Sequence, residues 1–200
     1  VIRPTLILLA AGTALAASPA AAAVLVYTAS LTGGHEVPPA ASPGTGFAVV
    51  TIDDVADTMR VQVNFSGLVG NTAASHIHCC QPLGTNAQVA TTTPTFPGFP
   101  LGVTSGTYDQ TFDMTLASSY NPAFVTAHGG NVTQARTDFF AGVAATQSYL
   151  NIHSSVFPGG EIRGQLFARV PEPSSWALMI AGFGLLGGVA RSHRSRPALA

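Results

Sequence analysis

The sequence predicts a mainly β fold, an antiparallel, Greek-key-like β-sandwich, and three observations carry that expectation. Six segments of the central chain alternate apolar and polar residues or are rich in β-branched and aromatic ones. Turn-forming clusters separate them, around Gly44, Asp53-Asp54, Gly84 and Pro158-Gly159-Gly160. The composition suits an exported β protein: 21 Gly, 14 Pro, no Lys and only 8% charged residues, with 46% hydrophobic residues to supply a core. Two hundred residues allow one domain with short ends.

Residues 1–23 read as a signal peptide. Arg3 precedes an apolar run from Leu6 to Ala17, small residues follow, and the expected cut comes after Ala23. The body, residues 24–169, then offers its strands in order: VLVYTASL, GFAVVTI, MRVQVNFSG, TYDQTFDMTL, SYLNIH and EIRGQLFARV. In MRVQVNF, Met59, Val61, Val63 and Phe65 share one face, and Arg60, Gln62 and Asn64 share the other. One buried and one wet face is what a half-buried antiparallel strand requires. The Pro/Gly/Thr-rich run ATTTPTFPGFPLGVTSG is expected to lie as a loop across the sheet surface.

One or two short helices are expected before the last hairpin. Asn121 is placed to cap a helix that starts at Pro122, and Gly129-Gly130 can stop it. A second helix is expected from about Val132 to Ala145, with Val132, Ala135, Phe139 and Val143 on one stripe. YLNIHSSVFPGGEIRGQL then reads as a strand, a Pro-Gly-Gly turn and a closing strand. The tail, residues 170–200, carries Pro171-Glu172-Pro173, an uncharged stretch from Trp176 to Ala190, and Arg191, Arg194 and Arg196. A transmembrane helix over 174–190 would leave the arginines in the cytoplasm, so apolar helices are expected at both termini.

These pieces resemble two known families. The order Pro-Glu-Pro, apolar stretch, Arg cluster resembles the PEP-CTERM sorting segment of Gram-negative bacteria. That resemblance implies an exosortase-type membrane protease as processing partner and transient residence in the inner membrane. Release at the cell surface or extracellular matrix follows, with extracellular polysaccharide as an expected neighbour. In the body, GGHEVPP, SGLVG, SHIH, YLNIHS and PGGEIRGQL resemble the CHRD domain, in family order, over about residues 26–168. The resemblance implies an extracellular β-sandwich and no settled activity.

ASHIHCCQP, residues 74–82, concentrates metal-capable side chains. On a strand, His76, His78 and Cys80 share a face, while Ile77 and Cys79 take the other. An H-x-H pair in that arrangement chelates copper or zinc. The same rule in YLNIH sets His153 with Tyr149 and Asn151, opposite Leu150 and Ile152. Were the two strands neighbours, His76, His78 and His153 would converge on one ion, with His35, His128 or Cys80 as a further ligand. The competing reading has the histidines bonding loop carbonyls and fixing the Pro-rich loop. The pattern is similar to the H-x-H element of the copper–zinc superoxide dismutase sandwich, without an equivalent of that enzyme's zinc loop. Cys79 and Cys80 are the only cysteines. A vicinal disulfide between them, thiolate ligation through Cys80, and plain or intermolecular thiols all stay open, the first two being mutually exclusive.

Other function classes lose ground here. A net charge of −1 gives no basic surface for nucleic acid. There is no G-x-S-x-G element and no Gly-rich phosphate loop before a helix. Asp53, Asp54 and Asp57 lack the glycine-spaced loop of calcium sites. Glu161 and Arg163 share a strand face and are expected to form a structural pair, with Glu36 as another partner. The leading expectation is a non-enzymatic, exported protein sorted by its tail. A copper- or zinc-binding module comes second, and a superoxide-dismutase-like redox enzyme third.

Overall fold

The computed structural model of the chain describes residues 24–169. The expected signal peptide, the sorting segment with the helix expected over 174–190, and His193 lie outside the described residues. Among the described residues no helix is long and apolar enough to cross a membrane.

The elements run β1 (Val24–Thr32), β2 (Thr45–Asp53), β3 (Thr58–Ser66), β4 (Thr72–Cys79), β5 (Gln88–Val89) and β6 (Gly106–Asp113). Helices α1 (Pro122–Ala127) and α2 (Val132–Ala144) follow, then β7 (Ser148–Ser154), β8 (Ile162–Gln165) and β9 (Phe167–Ala168). The mainly β, antiparallel class holds, and the two helices stand where the caps place them. Asn121 accepts from the Ala123 amide with Pro122 in the first turn, and Asn131 accepts from the Gln134 amide. Gly129 and Gly130 leave α1 at φ of 80° and 70°, a conformation that glycine adopts freely.

The layers differ from two separate sheets. Hydrogen bonding runs unbroken through one nine-stranded sheet in the order β5-β4-β7-β8-β1-β2-β3-β6, with β9 also on β1. The last hairpin joins its two limbs, because Arg163 of β8 pairs with Asn151 of β7 on one side and with Thr32 of β1 on the other. Alternation along a strand reports which face is buried and not which strand lies beside it. The sheet therefore curls around one core that takes Leu31, Val50 and Val61 from one limb and Ile77, Leu150 and Ile152 from the other. In β3 the burial alternates as the sequence implies, with Met59, Val61, Val63 and Phe65 inside.

The Pro-rich loop also departs from expectation. It runs along the edge of β4 that the two-residue β5 leaves uncovered. Phe96 N donates to Ser75 O (3.0 Å), Gly102 N to Thr72 O (2.9 Å), and Thr72 N to Val103 O (2.8 Å). Phe96 and Phe99 are buried against Phe65, Tyr108 and Phe112. An open strand edge needs cover, and burying two phenylalanines stabilises the loop that supplies it.

Candidate metal centre

Antiparallel pairing of β4 and β7 sets His76 opposite Asn151, His78 opposite Tyr149, and Ala74 opposite His153. Residues facing each other across a ladder project to the same side. All three histidines therefore stand on the face away from Ile77, Leu150 and Ile152. Loops roof this second face: His76 is 7% exposed and His78 8%. Ring centroids lie 4.9 Å apart for His76–His153, 5.8 Å for His76–His78 and 5.9 Å for His78–His153. One ligand nitrogen from each ring lies within 4.8 Å of the others.

The remaining ring nitrogens are already engaged. His76 Nε2 bonds Pro94 O (2.7 Å), His78 Nδ1 bonds Ala87 O (2.8 Å), and His153 Nδ1 bonds Pro158 O (2.9 Å). A carbonyl can only accept, so each of these nitrogens carries the proton. That tautomer leaves a lone pair on His76 Nδ1, His78 Nε2 and His153 Nε2, and these three atoms are buried without a partner. The loop-fixing reading is thus seen in all three rings, one nitrogen of each bonding a loop carbonyl and the other left without a partner. Carbonyl-fixed imidazoles with free second nitrogens are the usual second shell of a histidine metal site.

Electrostatics keep the rings in the ligand form. Burial lowers the pKa of all three, and that of His78 falls to about 4 despite the opposing Ala87 hydrogen bond. Tetrahedral M–N bonds of 2.0–2.1 Å would need N···N separations of about 3.4 Å, closer than the 4.8 Å within which the three nitrogens lie.

Two residues to which the sequence assigned no part in the cluster complete the surroundings. Tyr149 stacks on His78 at 4.7 Å, and the Arg163 guanidinium lies over the other half of that stack, 4.4 Å from the Tyr149 centroid. The Tyr149 hydroxyl accepts from Ala87 N (3.1 Å), which steadies the carbonyl that orients His78. Arg163 donates to His35 O (2.6 Å) and Asn86 Oδ1 (2.8 Å). The aromatic at 149 was visible in the strand pattern, but no sequence signal marks which backbone carbonyls close the second shell.

Other candidates fall away from the cluster. Cys80 is bonded to Cys79 in a vicinal disulfide and cannot serve as a thiolate ligand. Cys80 has φ 84°, so the strand ends there and its side chain leaves the histidine face. His35 bonds Ser30 O from an exposed position, and His128 pairs with Asp138 beside Phe124. Neither joins the three rings. Glu161 does not pair with Arg163; it accepts from Ser42 Oγ and from the Val69 and Gly70 amides. Asp53 accepts from the Val55 and Ala56 amides, an ordinary turn, and Asp57 pairs with Arg136.

The disulfide is seated against α2 at Gly142, where an added Cβ would stand 2.4 Å from Cys79 Sγ and 2.8 Å from Cys80 Sγ. Gly142→Ala is therefore expected to destabilise the domain by about 1–3 kcal/mol. In a Cys79→Ala/Cys80→Ala background the same change is expected to cost much less, which a double-mutant cycle in urea would measure. Equal penalties in both backgrounds would place the strain elsewhere.

The family comparisons agree with the sequence pattern. The model of the CHRD domain matches residues 27–166, and that of the PEP-CTERM protein-sorting motif matches residues 169–195. No curated protein and no solved structure matches the chain.

Proposed function

We propose that this chain, which belongs to the CHRD domain family, is an exported binding module that holds one copper or zinc ion between His76, His78 and His153. The sorting motif implies processing by an exosortase membrane enzyme, a transient membrane step, and placement at the cell surface or outside it. The metal reading is carried by one observation: three buried, unpartnered imidazole nitrogens from two adjacent strands face one another. Three neutral nitrogen donors suit copper or zinc better than calcium or magnesium, which take oxygen. We read the role as binding rather than catalysis, with the dismutase likeness resting on the H-x-H strand alone.

Elemental analysis of the exported protein tests the proposal. Wild type is expected to carry about one copper or zinc ion per chain, and His76→Ala/His78→Ala essentially none. Equal metal content in the two, or none in wild type after exposure to either ion, would remove the reading.

A further inference from the structure

We infer that Glu36 is the anionic partner of this metal centre, and that the cavity it lines is the side from which the ion is reached; the inference rests on the three-histidine reading above. Three neutral imidazoles would leave both charges of a divalent ion uncompensated. The Arg163 cation already lies over the Tyr149–His78 stack. Uncompensated charge away from water is costly, so the site calls for a nearby anion.

Glu36 stands in the right place for that role. It is 6% exposed, yet its Oε1 has no hydrogen-bond partner, and the same holds for Oδ1 of Asn151, which is 2% exposed. The two groups converge at Gly160. A Cβ there would lie 2.7 Å from Glu36 Oε1 and 2.6 and 2.8 Å from the Asn151 amide atoms. Asn151 in turn faces His76 across the β4–β7 ladder and shares its face with His153 two residues on. The carboxyl is thus one side chain removed from the His76–His153 pair.

Among the described residues no donor fills this carboxyl oxygen. Glu161, also buried, has its carboxylate filled by donors, and Arg163 spends its guanidinium on His35 O and Asn86 rather than on Glu36. Burial pushes the Glu36 pKa up to about 7 even with Arg163 pulling it down. Beside it lies a cavity of about 300 Å³ lined by Glu36, Pro38, Phe157, Pro158 and Gly160. Pro158 is also the residue whose carbonyl orients His153, so one wall of this cavity is the loop that holds that ring. It has room for several waters and for an entering hydrated ion.

Competition titration of the full chain with zinc, and with cobalt as a visible probe, tests the inference. Glu36→Gln is expected to keep one ion per chain but bind it at least ~10-fold more weakly, as outer-shell changes do. Glu36→Asp should recover part of the loss. At neutral pH the metal-free thermal midpoint of Glu36→Gln is expected to match or exceed that of wild type, since the amide removes the cost of ionising a buried carboxyl, so weaker binding cannot come from lost folding. Wild-type affinity in Glu36→Gln, with wild type binding one ion, would overturn this inference and leave the three-histidine reading standing. No zinc or cobalt bound by wild type would remove both.

Discussion

Glu161→Ala is expected to lower the stability of the metal-free protein by about 3–5 kcal/mol, because several buried donors lose their common acceptor. Glu161 is 0% exposed and stands immediately before β8, the strand that joins the two limbs of the sheet. Its carboxylate accepts from Ser42 Oγ at 2.7 Å, Val69 N at 2.5 Å and Gly70 N at 3.2 Å. Burial alone would raise its pKa, but the hydrogen bonds from Ser154, Ser42, Val69 and Gly70 outweigh it and hold the pKa low. One side chain thus ties together the loops after β1, after β3 and after β7. With alanine, two backbone amides and the facing hydroxyls lose their acceptor in a site with little water, each at about 1–3 kcal/mol. For a domain of this size the thermal midpoint should fall by roughly 10 °C. Glu161→Gln keeps the shape but turns an NH2 group toward donors, so it should fall between the two. Urea unfolding would decide it; a loss below about 1 kcal/mol for alanine would mean that water already serves these donors.

That network shows why some of the molecule was legible in the sequence and some was not. Strand faces are written in a two-residue period, so the inward set of β3 and the outward set Tyr149, Asn151 and His153 could be read directly. Helix caps are equally local, as Asn121 and Asn131 illustrate. What period cannot encode is the partner across a ladder. The joining of the limbs by β8 and the adjacency of β4 and β7 are long-range facts, and the single curled sheet follows from them. The three histidines could be singled out only on the condition that their strands met. Glu36 and Glu161 look alike in sequence, each a lone acid beside Gly and Pro, and differ only in what the fold brings to them. The Pro-rich loop misled for a related reason: its composition reads as exposed, but Phe96 and Phe99 find a core beside an uncovered edge.

In Glu36→Gln, acidification is expected to destabilise the metal-free domain across the range where ordinary histidines titrate. His78 has its pKa lowered from 6.5 to about 4 in the folded protein, with burial as the main cause, and His76 and His153 are lowered in the same direction. Between those limits the unfolded chain binds protons that the native state refuses, so stability rises with pH through this window and is lost as pH falls below 6.5. His78 alone accounts for roughly 3 kcal/mol once the pH is below 4. Glu36 acts with the opposite sign. Its folded pKa, raised from 4.5 to about 7, lets the native state hold the extra proton, a contribution present below 4.5 and lost as pH rises through 7. Between about 4.5 and 6.5 the His78 and Glu36 contributions nearly cancel, so the effect of the histidines is read with the glutamate neutralised. Urea midpoints of metal-free Glu36→Gln at pH 7.5, 6 and 5 should fall in that order. Adding His78→Gln should flatten that slope by about one proton, and wild type should show a shallower one than Glu36→Gln. A midpoint that holds level or climbs from pH 7.5 to 5 would mean that water reaches the three rings in the native state, and a dry, donor-ready cluster could not then be maintained.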